Sequence, residues 1–237
     1  MRRVWIVGLL SALAATAASA QEPAAAPSPA AAQTATGIPL DAPWKVTVYQ
    51  LARTKFVHPA WGWQHSERDY RVALSLAQSD GLPVDTDVLF AAAMLHDMAA
   101  FVPCADAKME HGDCAAQESA AVLRGAGFPM AKFAAVAAAE RGHMYYRNPG
   151  TQLEAIVLHD ADSLDCLGDA GAARMIALTG AKAPSFAPAV KTLRSFLRDI
   201  PPHLITASGK RLGAQRAAEL KQFLDALDAE TFGGKAM

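Results

Sequence analysis

The sequence predicts an all-α protein, and three observations carry that prediction. Apolar residues recur at helical spacing through most of the chain after residue 41. Strand-like alternation, with its β-branched and aromatic enrichment, is nearly absent. Alanine is abundant, and it is the best helix former. Because 52% of the residues are hydrophobic, one sizeable core can form, and residues 41–237 are predicted to be a single domain.

The first predicted helices are separated by helix breakers. Their expected positions are 44–56, a helix that begins near residue 65 and ends at 81–83, and a helix through 88–95. Asp85 or Asp87 can cap the third of these, because an acidic side chain accepts hydrogen bonds from the first free amides of a helix. A fourth helix follows Asp113 and stops at Gly125 or Gly127.

The second half of the chain continues in the same way. Pro129 suits the first turn of a further helix. Thr151 and Glu154 have the spacing of a capping box ahead of the apolar residues 156–158. The last three predicted helices are 169–178, 187–198 and 210–227.

The N-terminus has the pattern of a secretory signal peptide over residues 1–20. Arg2 and Arg3 precede an apolar run over 4–13, and small residues lead to Ala20. A membrane anchor is the alternative, but the apolar run is short for a bilayer span. Cleavage after Ala20 would give an exported protein, periplasmic or secreted, with no transmembrane anchor in its mature form.

Residues 21–40 are predicted to be a disordered linker. They are rich in Ala and Pro and have hardly a large apolar side chain. Such a segment buries too little surface to offset the entropy of ordering. The folded domain is therefore expected to begin near Asp41.

Charge and cysteine usage narrow the function classes. With 22 basic and 23 acidic residues, the chain lacks the basic excess that is typical of nucleic-acid binding, so a small-molecule substrate is the expected partner. Cys104 and Cys114 flank a polar loop and are candidates for a disulfide in an oxidising compartment. Cys166 lies in an apolar pattern and is expected to be a free thiol.

Four residues in three predicted helices form a candidate metal site: His65, His96, Asp97 and Asp162. Two imidazoles and two carboxylates suit a divalent ion such as Mn, Fe, Co, Ni or Zn. Asp97 and Asp162 stand in otherwise apolar helices, where a carboxylate is costly unless it is paired or binds a metal. A partly buried histidine, a helix-end pair and a solvated aspartate remain the alternatives on these residues alone.

The same residues carry a resemblance to a known family. The stretch Leu158–Gly168 resembles the D-A-D-x-L-D-x-x-G segment of one branch of the HD superfamily of metal-dependent phosphohydrolases, and Trp63–Arg68 resembles its H-x-x-R opening. The similarity covers about residues 58–178. It implies a helical bundle of about eight or nine helices, with one or two divalent ions. It also implies the metal ligands His65, His96, Asp97 and Asp162, with Asp162 preferred to Asp160.

Three more residues have two interpretations each. Some HD enzymes bind a second metal through two extra histidines, and His111 and His143 have the matching order; otherwise both are substrate or loop histidines. Arg68 lies one turn after His65, so it either contacts an anionic substrate group or pairs with a nearby carboxylate. Ser163 stands where the family often has a basic residue, which weakens the expectation of a phosphate contact there.

The resemblance implies hydrolysis of a phosphate ester of a small molecule or nucleotide by a metal-activated water. Asp97 would orient that water or accept its proton, and Arg68 would neutralise phosphate charge. An HD-type hydratase or a di-iron oxygenase acting on a small non-phosphorylated substrate is one alternative. A non-catalytic exported metal-binding module is another. Four aromatic residues either wall a pocket or pack in the core: Trp61, Trp63, Tyr145 and Tyr146.

Overall fold

The computed structural model describes residues 32–104, 106, 108–180 and 183–237. Nine α-helices lie in these ranges, and their only β-pairing is an isolated bridge between Gln33 and Pro39. The helices are α1 (Pro43–Lys55), α2 (Trp63–Asp80), α3 (Thr86–Leu95), α4 (His111–Ala126), α5 (Phe133–Gly142), α6 (Leu153–Asp165), α7 (Gly168–Gly180), α8 (Ala187–Asp199) and α9 (Ala207–Glu230). The all-α prediction is confirmed.

Part of the segment predicted to be a linker packs on the folded domain. The proposed signal peptide and the first part of the proposed linker lie outside the described residues. Residues 32–40, however, pack on α2, with Thr34 and Ile38 buried. The Oε2 atom of the buried Glu67 accepts hydrogen bonds from the Thr34 hydroxyl at 3.1 Å and the Thr36 amide at 3.0 Å. This corrects the expected linker boundary at residue 40, because Glu67 and the apolar Ile38 fix a segment whose composition favours disorder.

Helix α3 lies at the centre of the first hydrophobic core. Every residue from Val88 to Leu95 is buried, as expected for a helix that is apolar on all its faces. It packs among α1, α2, α5 and α6. The Asp85 carboxylate caps it, as predicted, by accepting from the amides of Asp87 at 2.9 Å and Val88 at 3.3 Å. Because α3 is buried from Val88 to Leu95, its packing fixes the position of the His96-Asp97 pair at its end.

The last three helices close a second core against α2 and α6. Leu164 of α6 packs there with Leu193 of α8 and with Leu220 and Leu224 of α9. The region after residue 178 is thus part of the domain's packing. Within the described part of the chain, no helix combines the length and the apolar character that crossing a membrane requires.

Two local expectations are wrong. The residue that precedes α6 is Gln152, not Thr151, so Glu154 stands one position too early for a capping box. Its carboxylate instead accepts from the Asp85 amide at 2.5 Å and from the Gln152 side chain at 2.6 Å. Pro129 precedes a short 3₁₀ turn rather than a helix, and α5 begins at Phe133.

Candidate metal centre

Five helices bring the six predicted metal-site residues together. His65 lies in the first turn of α2, and Asp162 lies in the last turns of α6. The other four stand at helix ends: His96 and Asp97 after α3, His111 at the start of α4, and His143 after α5. Helix ends suit this role because several helices converge at one point while their shafts remain packed in the core.

A first group of donors surrounds the His65 imidazole. Its Nε2 atom lies 3.2 Å from Asp162 Oδ1 and 3.3 Å from His96 Nε2. Both imidazoles are buried. The ligand atoms of His65, Asp69, His96 and Asp162 all lie within 4.8 Å of one another, which is close enough to surround a single ion.

Asp97 lies between this group and a second one. Its Oδ2 atom is 3.4 Å from His65 Nε2 and 3.5 Å from His96 Nε2. Its Oδ1 atom is 2.8 Å from His111 Nε2 and 3.9 Å from His143 Nε2. One carboxylate thus turns its two oxygens toward two sets of imidazoles. Asp97 would therefore supply an oxygen to a metal ion held by either set of imidazoles.

The tautomers of two histidines fit metal binding. His96 Nδ1 lies 2.9 Å from the Ala93 carbonyl, and His143 Nδ1 lies 2.6 Å from the Glu140 carbonyl. A carbonyl only accepts, so each Nδ1 carries a proton and each Nε2 is the nitrogen that faces the centre. His143 Nε2 is buried with no hydrogen-bond partner. An orphaned acceptor of this kind is costly in a protein and is satisfied by a divalent ion.

Asp69 joins the site although the sequence analysis missed it. It lies one turn after His65 on α2, and its Oδ2 atom is 3.1 Å from His65 Nδ1 and 3.6 Å from His96 Nε2. Both of its oxygens are buried without a hydrogen bond. The i, i+4 spacing from His65 is the sequence signal that would have found it.

Asp165 contacts the first group on the side of the His65 ring away from Nε2. Its carboxylate lies 2.8 Å from His65 Nδ1 and accepts two hydrogen bonds of 2.8 Å from the Arg68 guanidinium. Arg174 adds a third donor at 2.8 Å. Arg68 therefore pairs with a buried carboxylate through Nε and Nη2, as the second of its two interpretations expects, and a contact with the substrate stays a prediction.

The buried side chains of the site have strongly shifted pKa values. Burial raises the pKa of Asp69 to about 7, although His65 opposes the shift. Burial disfavours protonated His96, but the adjacent Asp97 carboxylate outweighs it and raises the pKa of His96 to about 9. Burial and then the charge on His96 lower the pKa of His143 to about 4. His143 is therefore neutral near pH 7, which is the form that ligates metals.

A disulfide and a glycine position His111. The predicted bridge between Cys104 and Cys114 is present, and it ties the loop after Asp97 to the first turn of α4. A Cβ atom at Gly112 would lie 2.5 Å from the Glu140 carbonyl oxygen. The absent side chain therefore lets the start of α4 approach the end of α5. The His111 and His143 rings consequently lie 5.5 Å apart.

A cavity of about 510 Å³ opens on the site, with Asp97, His111 and Asp162 on one side. Trp61 and Tyr145 line this cavity, which agrees with their interpretation as pocket residues rather than core residues. Trp63 instead packs against Tyr49, and Tyr146 is exposed.

Comparison with known proteins agrees with this geometry. Residues 62–167 match the family model of the HD domain, and this range contains all six predicted metal-site residues. The chain carries an HD domain. The resemblance to the HD superfamily, which was predicted from the order His, His-Asp and Asp, is confirmed. No significant match exists among the curated proteins.

Solved structures share the fold of this HD-domain protein. A Lactobacillus plantarum protein is 23% identical, with a TM-score of 0.61 over 78% of this chain and 95% of that one. Bacillus subtilis YpgQ, solved in complex with ADP, is 20% identical, with a TM-score of 0.58 over 77% and 97%. An HD-superfamily hydrolase of Bacillus thuringiensis is 22% identical, with a TM-score of 0.57 over 79% and 94%.

Proposed function

We propose that this protein is a metal-dependent hydrolase that acts on phosphate esters with two divalent ions. The observation that carries the proposal is the position of Asp97, whose two oxygens face separate groups of imidazoles. Paired metal sites of this kind occur in phosphatases and nucleases, where they clamp an in-line displacement. The HD-superfamily hydrolase among the structural neighbours supports the same reaction class.

Each part of the site has a role in this proposal. When bound, the divalent ions lower the pKa of water and neutralise charge on the phosphoryl oxygens. His65, His96 and Asp162 would hold one ion, His111 and His143 the other, and Asp97 both. Asp97 and Asp162 are the carboxylates that line the cavity, so they are placed to orient the attacking water.

The reaction is a hydrolysis in which one bond forms and one breaks. The water oxygen bonds to phosphorus, and the bond from phosphorus to the ester oxygen breaks. One proton of the water passes through a carboxylate to the departing oxygen, so an alcohol and a phosphate result. Asp165 keeps the His65 ring oriented through its 2.8 Å contact with Nδ1.

Metal content and phosphatase activity test this function together. The purified protein, loaded in turn with Mn, Fe, Co, Ni and Zn, should bind close to two ions per chain and hydrolyse simple phosphate esters. The metal content of His143→Ala should fall toward one ion per chain, and His96→Ala should lose most of its metal. For metal content, His203→Ala is the matched control, because His203 is exposed, bonds the Asp199 carbonyl and contacts the Tyr145 ring rather than a predicted ligand. A protein that binds no metal would overturn the proposal.

A di-iron oxygenase is the second candidate. It is favoured by the absence of a free lysine or arginine among the described residues that line the cavity. Product formation that needs Fe and oxygen, and fails with Zn, would support it over hydrolysis. A fully loaded protein that is inactive with either metal would favour a non-catalytic metal-binding module.

We also propose that the protein is exported. The disulfide between Cys104 and Cys114 supports this, because such bonds persist in oxidising compartments. N-terminal sequencing of protein from the cell envelope or medium should begin at Gln21. A chain that retains Met1 and is found only in the cytoplasm would contradict the proposal.

A further inference from the structure

The cavity beside the metal centre has two chemically different sides. Asp97, His111 and Asp162 form the side at which a substrate would react. The rest of the wall is largely apolar, and its largest members are Trp61, Met144, Tyr145, Met175, Leu178 and Phe196. A volume of about 510 Å³ lies within the range of small-molecule sites. Any molecule that places one group at the centre therefore lays its remainder along this wall.

Among its described lining residues, the cavity has no free lysine or arginine for a second anionic group. Arg174 is the one arginine there, and it is buried, while His111 belongs to the metal centre. Its Nη1 donates to the Asp165 carboxylate at 2.8 Å, and its Nε donates to the Ala60 carbonyl at 2.5 Å. A second phosphate would face the Asp97 and Asp162 carboxylates with no positive partner.

Two of the three hydroxyl groups among the described lining residues, those of Ser163 and Thr192, are also engaged. Ser163 Oγ donates to the His159 carbonyl at 2.6 Å. Thr192 Oγ1 donates to the Pro188 carbonyl at 3.2 Å. Their protons serve the helix backbone, so the Tyr145 phenol is the main hydroxyl that the described wall offers to a sugar. Buried polar groups of a ligand without partners are costly, and the wall discriminates against them.

We infer that the cavity selects a substrate with one charged group, held at the metal centre, and an apolar body. An aryl or short alkyl phosphate monoester has this chemistry, whereas a sugar phosphate or a nucleoside diphosphate does not. The phosphate part of this inference rests on the proposed function. The apolar body rests on the cavity wall alone.

Substrate comparison tests the inference in the metal-loaded protein. The value of kcat/KM for 1-naphthyl phosphate should exceed those for ribose 5-phosphate and ADP by about tenfold or more. Equal or faster hydrolysis of ribose 5-phosphate or ADP would overturn the inference and leave the hydrolase function standing.

Two wall variants and a matched control locate the effect. Phe196→Ala removes an aromatic ring from the wall, and Leu178→Gln adds a polar group of similar size. Each should raise KM for 1-naphthyl phosphate by about tenfold and leave KM for methyl phosphate nearly unchanged. Phe232→Ala is the control, because Phe232 is 77% exposed and is not among the residues that line the cavity. An unchanged KM in both folded wall variants would contradict the inference.

Binding without turnover separates the two proposals. Calorimetry with 1-naphthylphosphonate should show binding with a negative heat-capacity change, weakened in Leu178→Gln. Such binding in a protein that hydrolyses no ester would uphold the apolar cavity and overturn the hydrolase. Absence of binding alongside rapid hydrolysis of methyl phosphate would overturn the apolar cavity and uphold the hydrolase.

Discussion

At the scale of single residues, Asp165 orients part of the site although it is not a predicted ligand. It meets His65, Arg68 and Arg174 with contacts of 2.8 Å, although it is not itself among the residues grouped around the metal position. Two arginines and an imidazole offset the cost of burying this carboxylate, and they hold its pKa below the usual range against the effect of burial. The consequence is a fixed orientation of the His65 ring.

Asp165→Asn should therefore be far more harmful than its conservative chemistry suggests. It leaves Arg174 buried without its charge partner, so a loss of about 3–5 kcal/mol in the free energy of unfolding is expected, with lower metal content. Asp199→Asn is the matched control: its two bonds to Arg198 are equally short, 2.7 and 2.8 Å, but exposed, so about 0–1 kcal/mol is expected. Urea unfolding and metal analysis measure both. Equal effects would contradict the role of Asp165.

The buried Glu140 carboxyl should make the stability of the metal-free protein depend on pH. Burial raises its pKa from 4.5 to about 8, against a hydrogen bond from Ser119 and the charge on His96. Between these two pKa values, which define the pH window, Glu140 holds a proton in the folded state that it has lost in the unfolded chain. The free energy of unfolding therefore falls as pH rises through the window, and the decline ends above about pH 8.

Glu140→Gln should flatten that decline and be more stable than the parent at about pH 8, because Gln has no charge to bury. Urea unfolding between about pH 5 and pH 8 measures this, with the exposed Glu230→Gln as the control. A decline in Glu140→Gln as steep as in the parent would show that another group causes it.

At the scale of elements, the close contact between the start of α4 and the end of α5 sets the distance between His111 and His143. Gly112 allows that approach, and the bridge from Cys104 to Cys114 restrains the same turn. His111 is the most exposed of the imidazoles at the centre, with 31% of its side chain accessible, so its position depends on these two restraints.

Gly112→Ala should separate the two helix ends. The added Cβ would meet the Glu140 carbonyl, so a loss of about 1–3 kcal/mol is expected, and metal content should fall toward one ion per chain. Gly125→Ala in the same helix meets nothing within 4 Å and should stabilise the protein by up to about 1 kcal/mol. Thermal unfolding and metal analysis compare them. A harmless Gly112→Ala would mean that the helices can move apart freely.

At the scale of the whole molecule, two hydrophobic cores meet along α2 and α6. The first surrounds α3, and the second joins α7, α8 and α9. Both shared helices carry site residues, since His65 lies on α2 and Asp162 on α6. The site therefore depends on both cores, and residues 32–40 add a further layer against α2.

Truncated chains should show how much the packed residues 32–40 contribute to the free energy of unfolding. A chain that starts at residue 32 should be as stable as the full chain. A chain that starts at residue 42 should lose about 2–4 kcal/mol, because it exposes apolar surface beneath Ile38 and leaves the Glu67 carboxylate without its two donors. Equal urea midpoints for the two truncated chains would show that residues 32–40 contribute nothing.

The amino-acid sequence by itself determined the fold class, the position of most helices and four candidate ligands, to which the resemblance added His111 and His143. Helical periodicity, caps and breakers act within a few residues, so a single sequence displays them. The resemblance then supplied the order of the ligands. Only the tertiary structure decided the partner of Arg68 and the presence of Asp69, Asp165 and the apolar wall, because these depend on packing. His65 and Asp165 are 100 residues apart, and no local pattern encodes a contact between them.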